Sequence, residues 1–125
     1  MTYREWVIWC AAFLDGEGSF VAFRDRRGYR SFSTNAGQKQ LWPLEQLRRI
    51  FGGAVHVETG HKYGLNRWQA CGARARGIMM MVYPFVSPRR QEQIRTALSY
   101  NWREPNGGLK LKPEHAPSHE WRGVK

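Results

Sequence analysis

Apolar and polar residues follow helical and strand periods in turn along this 125-residue chain. A first helix is predicted to begin after Thr2, because Glu5 stands three residues on and completes a capping box. The elements then follow the order helix, hairpin, helix, hairpin, helix, helix, which predicts an α+β fold. After the first helix, strands are predicted over 18–24, 29–38, 54–58 and 67–71, and helices over 42–51, from 73 up to Pro84, and from Pro88 to about 100.

The second predicted strand alternates most clearly. One face holds Arg30, Phe32, Thr34 and Ala36, and the other holds Tyr29, Ser31, Ser33 and Asn35. Side chains of the second kind hydrogen-bond to base edges, but they are equally typical of a solvated strand. In the strand at 67–71, Trp68 and Ala70 are predicted to face inwards and Arg67 and Gln69 outwards. The facing of residues 20–24 is left open, since Phe20, Val21 and Phe23 are all apolar.

The charge balance indicates a polyanionic partner. The chain has 20 Lys and Arg against 10 Asp and Glu, a net charge of +10, and 15 of its 20 basic residues are Arg. Arginine binds phosphate and guanine edges bidentately, which favours nucleic acid as the partner over a role of the charge in solubility alone. The pattern predicts one domain over 1–100 and a basic tail or wrap over 101–125, where the periodicity is lost.

Other classes of protein fit less well. The apolar runs at 6–14 and 78–86 are too short to span a membrane, and no basic amphipathic helix stands out. No secretory signal follows Met1, and Cys10 and Cys71 lie within apolar patterns. We therefore expect buried free thiols and a location in the cytoplasm, or in the organelle or nucleus that holds the DNA, without secretion.

Acidic residues stand where the first helix ends, in Asp15-Gly16-Glu17-Gly18. A helix C-terminus carries partial negative charge, so acids there cost roughly 0.3–1 kcal/mol. Such a conflict is expected at functional sites, and an unneutralised carboxylate is half of a metal site. An ordinary turn, with Gly16 or Gly18 at positive φ, is the alternative interpretation.

The nine residues from Cys10 to Gly18, CAAFLDGEG, resemble the signature of the LAGLIDADG homing endonucleases. The αββαββα order over residues 5–100 and the segment PFVSPRRQEQI add to this resemblance, while Cys10 and Ala12 depart from the common signature. The resemblance implies an antiparallel four-stranded saddle that binds double-stranded DNA, with helices packed on its other face. A single copy of the signature implies a homodimer.

The resemblance also implies roles for individual residues. Glu17 would bind Mg²⁺, or another divalent cation such as Mn²⁺, with the Gly16 carbonyl as a further ligand and no small-molecule cofactor. Gln38 would order water, Arg89 or its neighbour Arg90 would stabilise the phosphate charge, and Asp15 would support the helix end. The dimer contact is expected at Trp9, Ala11, Ala12 and Asp15. The residues expected at the DNA surface are Arg24, Arg26, Arg27, Tyr29, Arg30, Ser31, Ser33, Asn35, Lys39, His61, Lys62, Arg67, Gln69 and Arg90.

Three functions are compatible with these features. The resemblance favours a site-specific DNA endonuclease that cuts a long, near-palindromic site and is mobile with an intron, an intein or a free-standing gene. A non-cleaving RNA maturase or DNA-binding regulator of the same fold is the alternative. A basic structural protein would account for the charge but not for the acids at 15–17.

Overall fold

The computed structural model describes residues 1–59 and 64–99. The elements of this part of the chain are α1 (Tyr3–Glu17), β1 (Gly18–Arg24), β2 (Arg30–Gln38), α2 (Leu41–Phe51), β3 (Ala54–His56), β4 (Asn66–Cys71), α3 (Gly72–Val82), a 3₁₀ turn (Tyr83–Phe85) and α4 (Pro88–Ser99). The predicted order and the α+β fold are confirmed. His61, Lys62 and the tail at 101–125 lie outside the described residues.

The first helix begins after Thr2 and ends within residues 15–18, as predicted. The Thr2 hydroxyl accepts from the N–H of Glu5 at 3.1 Å, and the Glu5 carboxylate accepts from the N–H of Thr2 at 2.7 Å. The helix continues through Glu17, and Gly18 passes directly into β1 with φ −100° and ψ 176°. Neither Gly16 nor Gly18 has positive φ. The interpretation of this segment as a glycine turn is therefore wrong.

The four strands form one antiparallel sheet in the order β1-β2-β4-β3. The two hairpins join through β2 and β4, where Asn35 lies opposite Gln69 and Gly37 opposite Arg67. The helices cover one face of this sheet, onto which the strands direct a buried set: Phe20, Phe32, Thr34, Ala36, Trp68 and Ala70. Alternation then places Val21 and Phe23 on the other face, which resolves the facing of residues 20–24.

We call this other face the open face and define it by Ser19, Val21, Phe23, Ser31, Ser33, Asn35, Arg67, Gln69 and Cys71. Arg67 and Gln69 are exposed on it as predicted, whereas Trp68 is fully buried and donates from Nε1 to the Gly52 carbonyl at 2.8 Å. Gly53, with φ +90°, allows the chain after α2 to pack closely against β4, since a Cβ at this position would stand 2.6 Å from the Gln69 carbonyl oxygen.

The two cysteines differ in environment. Cys10 is fully buried in the core, and burial raises the pKa of its thiol to about 12. Cys71 is exposed, which corrects the expectation of two buried thiols. The reason is its position in β4, where alternation with the inward-facing Ala70 directs Cys71 to the open face.

Candidate nucleic-acid interface and metal centre

Glu17 is the exposed carboxylate of the last turn of α1. That turn has no basic side chain, and Glu17 makes no hydrogen bond or ion pair with any residue in 1–59 or 64–99. Gly16 beside it is exposed, and a Cβ there would meet no atom within 4 Å. A carboxylate and an open backbone, both facing solvent, form the kind of oxygen donor set that hard divalent cations prefer.

The β-sheet register brings basic and polar residues to the same end of the molecule as Glu17. Gly18 lies opposite Ala36. Glu17, the residue before Gly18, is therefore at the level of Gly37 on β2. The Arg67 Nη1 atom lies 3.8 Å from where a Cβ on Gly37 would stand, so the guanidinium crosses β2 at this level. Gln38 and the exposed Lys39 follow directly, with the Gln38 Oε1 atom accepting from the N–H of Lys39 at 2.9 Å.

The start of α4 packs against the end of α1. Ser87 donates its N–H to the Asp15 Oδ1 atom at 2.9 Å, so the Asp15 carboxylate satisfies a donor ahead of α4. Arg89 is exposed and close enough to Asp15 to lower the pKa of its carboxyl group. The predicted positions of Glu17, Gln38 and Arg89 therefore converge at one end of the sheet, although they lie far apart in sequence.

Arg90 has a different environment from its neighbour Arg89. It is 7% exposed, its Nε atom donates to the Asp15 carbonyl at 2.8 Å, and its Nη1 atom donates to the Gln93 side chain at 2.9 Å. Burial lowers its pKa. The prediction of Arg90 at the DNA surface does not agree with this structure. The helical rotation of about 100° per residue turns Arg90 into the molecule while Arg89 stays in solvent.

Asp15 is expected to contribute stability in its charged form. The hydroxyl and N–H of Ser87, followed by the charges of Arg90 and Arg89, hold the pKa of Asp15 below its ordinary value of 3.8. Asp15→Asn keeps an acceptor but loses the charge, so we expect the free energy of unfolding at pH 7 to fall by about 1 kcal/mol.

The effect of Asp15→Asn should depend on pH. A lowered folded-state pKa stabilises the protein above the ordinary carboxyl pKa, and this stabilisation is lost as pH falls through the folded-state value. Urea unfolding of both proteins from pH 7 to pH 2 would therefore show curves that converge in acid. A difference that stays constant over this range would show that the charge of Asp15 does not contribute.

The open face carries an ordered set of polar side chains. The Ser19 hydroxyl donates to the Asn35 Oδ1 atom at 3.2 Å, and the Gln69 Nε2 atom donates to the Ser33 hydroxyl at 3.3 Å. Ser33 itself is 5% exposed, so Gln69 rather than Ser33 presents polar atoms to solvent. Ser31 and Asn35 are half-buried. Bonds between strands fix these side chains before any ligand arrives, which lowers the entropy cost of binding.

The tip of the first hairpin is organised around Asp25. Its Oδ1 atom accepts from the N–H of Arg27 at 2.9 Å and from the N–H of Tyr29 at 3.1 Å, and Gly28 supplies φ 83°. This arrangement leaves Arg26, Arg27 and Tyr29 exposed. The tip therefore presents two guanidinium groups and an aromatic ring beyond the end of the sheet.

Two of the arginines expected at the DNA surface are not on the open face. Arg24 and Arg30 are opposite each other at the ends of β1 and β2, and alternation places them on the side covered by helices. The guanidinium carbon of Arg30 lies 4.8 Å from the centre of the Phe32 ring. The places of Ser19, Val21 and Cys71 on the open face were not predicted from the sequence, because only the pairing register shows which residues share a row.

Between Ile8 and Gly16, the exposed residues of α1 are small or aliphatic. Ile8 is 39% exposed, and Ala12 and Gly16 follow it at intervals of four residues on the same side. Ala11 is fully buried in the core with Val7, Cys10 and Leu14, so its predicted place in a dimer contact is wrong. The helix turns Ala11 towards the sheet and Ala12 away from it.

Trp9 flanks this surface within an aromatic cluster. Its ring stacks on Phe13 at 5.8 Å and meets Trp42 edge-on at 5.6 Å, and Trp42 is 57% exposed. Asp15 is half-buried at the end of the helix. Of the four residues predicted at a dimer contact, Trp9, Ala12 and Asp15 thus retain accessible surface.

The described residues contain no group of three or more His, Cys, Asp or Glu side chains close enough to hold a metal ion. A cation at Glu17 would therefore need ligands from elsewhere. Within 1–59 and 64–99, no helix has the length and apolar character needed to cross a membrane.

Comparison with solved structures shows the fold. The chain is similar to the homing endonuclease I-CvuI in complex with the I-CreI target at 2 mM Mg, with uncleaved DNA (TM-score 0.63, 20% identity, covering 77% of this chain and 65% of that one). It is also similar to I-CvuI with its own target at 2 mM Ca (TM-score 0.60, 18% identity, 78% and 70%). A third similar structure is the group I intron-encoded homing endonuclease I-CeuI complexed with DNA (TM-score 0.56, 17% identity, 76% and 53%).

The match spans 65% and 70% of the two I-CvuI chains and 53% of the I-CeuI chain. No family profile and no curated protein matches this sequence. The four-stranded antiparallel sheet with its helices is the homing-endonuclease fold.

Proposed function

We propose that this chain is a site-specific double-strand DNA endonuclease of the single-motif, homodimeric LAGLIDADG type, which hydrolyses phosphodiesters with a divalent cation. The observation that carries the proposal is Glu17, an exposed carboxylate without a partner among the described residues. It lies at the end of the sheet where the basic residues Lys39, Arg67 and Arg89 are also found. A protein that only bound DNA would gain nothing from an acid placed against the phosphate charge.

DNA is the partner that fits the surface. The open face carries fixed amide groups at Asn35 and Gln69, and asparagine and glutamine pair with adenine in the major groove. Arg67 lies on this face and Arg26 and Lys39 are exposed near its ends, in a chain of net charge +10. The similar structures of I-CvuI and I-CeuI were solved with DNA bound, which supports this assignment.

A second copy of the chain would complete the metal centre. One copy offers a single carboxylate at Glu17, and no metal-binding cluster exists among its described residues. Ala12 and Gly16 leave the second half of the exposed side of α1 without large side chains between them, so a second helix can approach closely there. A two-fold axis along this surface would bring both Glu17 residues together and favour a near-palindromic site.

The residues at the end of the sheet have separable roles. Glu17 and the Gly16 carbonyl would hold Mg²⁺ or Mn²⁺, which would supply charge neutralisation and a more acidic bound water. Gln38 would orient a water molecule through its amide group. Arg89, which is exposed beside the end of α1, would stabilise the added negative charge of the phosphate in the transition state.

The test is selection from a random duplex library in the presence of Mg²⁺. We expect cut products with a near-symmetric consensus, and no cutting when EDTA replaces Mg²⁺. Enrichment of a bound but uncut sequence would instead identify a DNA-binding regulator. Selective retention of structured RNA over duplex DNA would favour a maturase.

A further inference from the structure

The open face is divided into cross-strand rows of different chemistry. Ser19, Asn35 and Gln69 lie opposite one another and form the Gln69 row. Val21, Ser33 and Cys71 form the next row, which we call the Val21 row. The Gln69 row lies nearer to Glu17, because β1 begins at Gly18 directly after it.

The Val21 row has little polar capacity left for a ligand. Ser33 is 5% exposed, and its hydroxyl already accepts from Gln69 at 3.3 Å. Val21 is 39% exposed at one end of the row, and Cys71 is exposed on the other side of Ser33. Valine neither donates nor accepts a hydrogen bond, and a thiol does so weakly. A ligand therefore meets mainly apolar atoms in this row, which lies between the polar Gln69 row and the pair formed by Phe23 and Ser31.

Base edges in the major groove offer one apolar group, the C5 methyl of thymine. Opposite valine, an amino group of adenine or cytosine, or an acceptor of guanine, would lose water without gaining a partner. A thymine methyl would instead bury apolar surface at no polar cost. The chemistry of the Val21 row therefore selects thymine among the four bases.

The spacing of the rows matches the spacing of base pairs. Adjacent rows on one face are two residues apart, or about 6.8 Å along an antiparallel strand. Two base-pair steps of B-DNA also measure about 6.8 Å. We propose that Val21 contacts a thymine methyl and determines specificity about two base pairs further from Glu17 than the position contacted by Gln69. This inference rests on the proposed function, because it requires DNA on the open face.

The experiment removes the methyl from the DNA and the apolar group from the protein. Binding is measured with Ca²⁺ in place of Mg²⁺, on the sequence preferred in a binding selection, while deoxyuridine replaces each thymidine in turn. At one position in each half-site we expect uracil to weaken wild-type binding about fourfold per methyl, the effect of losing one buried methyl. Elsewhere uracil should have no effect.

Val21→Thr keeps the branched shape but exposes a hydroxyl to the base. This variant should bind the thymine duplex about fourfold more weakly per half-site and no longer distinguish uracil from thymine at that position. Val57→Thr is the matched control, since Val57 is 55% exposed beyond the end of β3 and outside the row. Its discrimination should equal that of wild type. Melting temperatures would verify that both variants are folded.

The outcomes separate this inference from the function on which it rests. Sequence-selective binding that tolerates uracil at every position would overturn the inference and leave the endonuclease proposal intact. The inference would also be overturned if Val21→Thr still bound thymine more tightly than uracil at that position. It would be overturned as well if Val21→Thr changed the oligomeric state of the protein and left its preference for thymine unchanged. Folded wild-type protein without any selective DNA binding would contradict the proposed function itself.

Discussion

Replacing Glu17 with glutamine is expected to abolish DNA cleavage while DNA affinity stays unchanged or rises. Glutamine keeps the size of the side chain but loses the charge that holds a divalent cation. Removing one such electrostatic contribution typically costs several kcal/mol in the transition state, so cleavage should slow by at least about 10³-fold. Affinity should not fall, since Glu17 is exposed beside basic residues and its charge repels phosphate.

Single-turnover cleavage and gel-shift titration would measure the two effects of Glu17→Gln separately. Glu45→Gln provides a matched control, because Glu45 is exposed on α2 and its partner Arg48 lies 3.7 Å away, also exposed. This control should cut at the wild-type rate. Full activity in Glu17→Gln would remove Glu17 from the mechanism, and a parallel loss of affinity would indicate a role in binding instead.

Ala12→Glu is expected to convert a homodimer to monomers and to abolish cleavage. Ala12 is exposed on α1, so the fold of one chain should tolerate the longer side chain. Two copies meeting at this helix would place both new carboxylates at the axis, where they clash and repel. The metal centre would then lose one of its two Glu17 residues, and cleavage should fall to the level of Glu17→Gln.

Sedimentation at micromolar concentration would measure the association state of Ala12→Glu. Ala73→Glu is the matched control, with the same substitution at an exposed position in the first turn of α3, where an acid is favourable. It should sediment as wild type. A wild-type protein that sediments as a monomer would defeat the two-carboxylate site. Ala11→Glu should unfold the chain instead, because Ala11 is fully buried.

Local chemistry accounts for the elements that were predicted correctly. The Thr2 capping box, the glycines at 52 and 53 after α2, and Pro88 at the start of α4 each act within a few residues. Trp68 and Arg67 also face as predicted, because strand alternation is a property of neighbouring residues. Sequence analysis therefore predicted the order of elements and most of their limits.

The direction in which a residue faces around a helix was harder to predict, and two pairs of neighbouring site residues show why. Ala11 and Ala12 are chemically identical, yet one is in the core and the other in solvent. Arg89 and Arg90 differ in the same way at the start of α4. Neighbouring helical residues point about 100° apart, and only packing against other elements decides which of the two is buried.

The sequence by itself determined the α+β order, the acid at the end of the first helix and the excess of basic residues, because periodicity, capping and charge are carried by residues close together in the chain. Only the tertiary structure decided that β2 pairs with β4, which brings Arg67 to the level of Glu17 and arranges the open face in rows. It also decided that the start of α4 packs against the end of α1, which brings Arg89 to the same end. Such pairing depends on contacts between residues distant in sequence, and a register shifted by one residue would have turned every side chain to the opposite face.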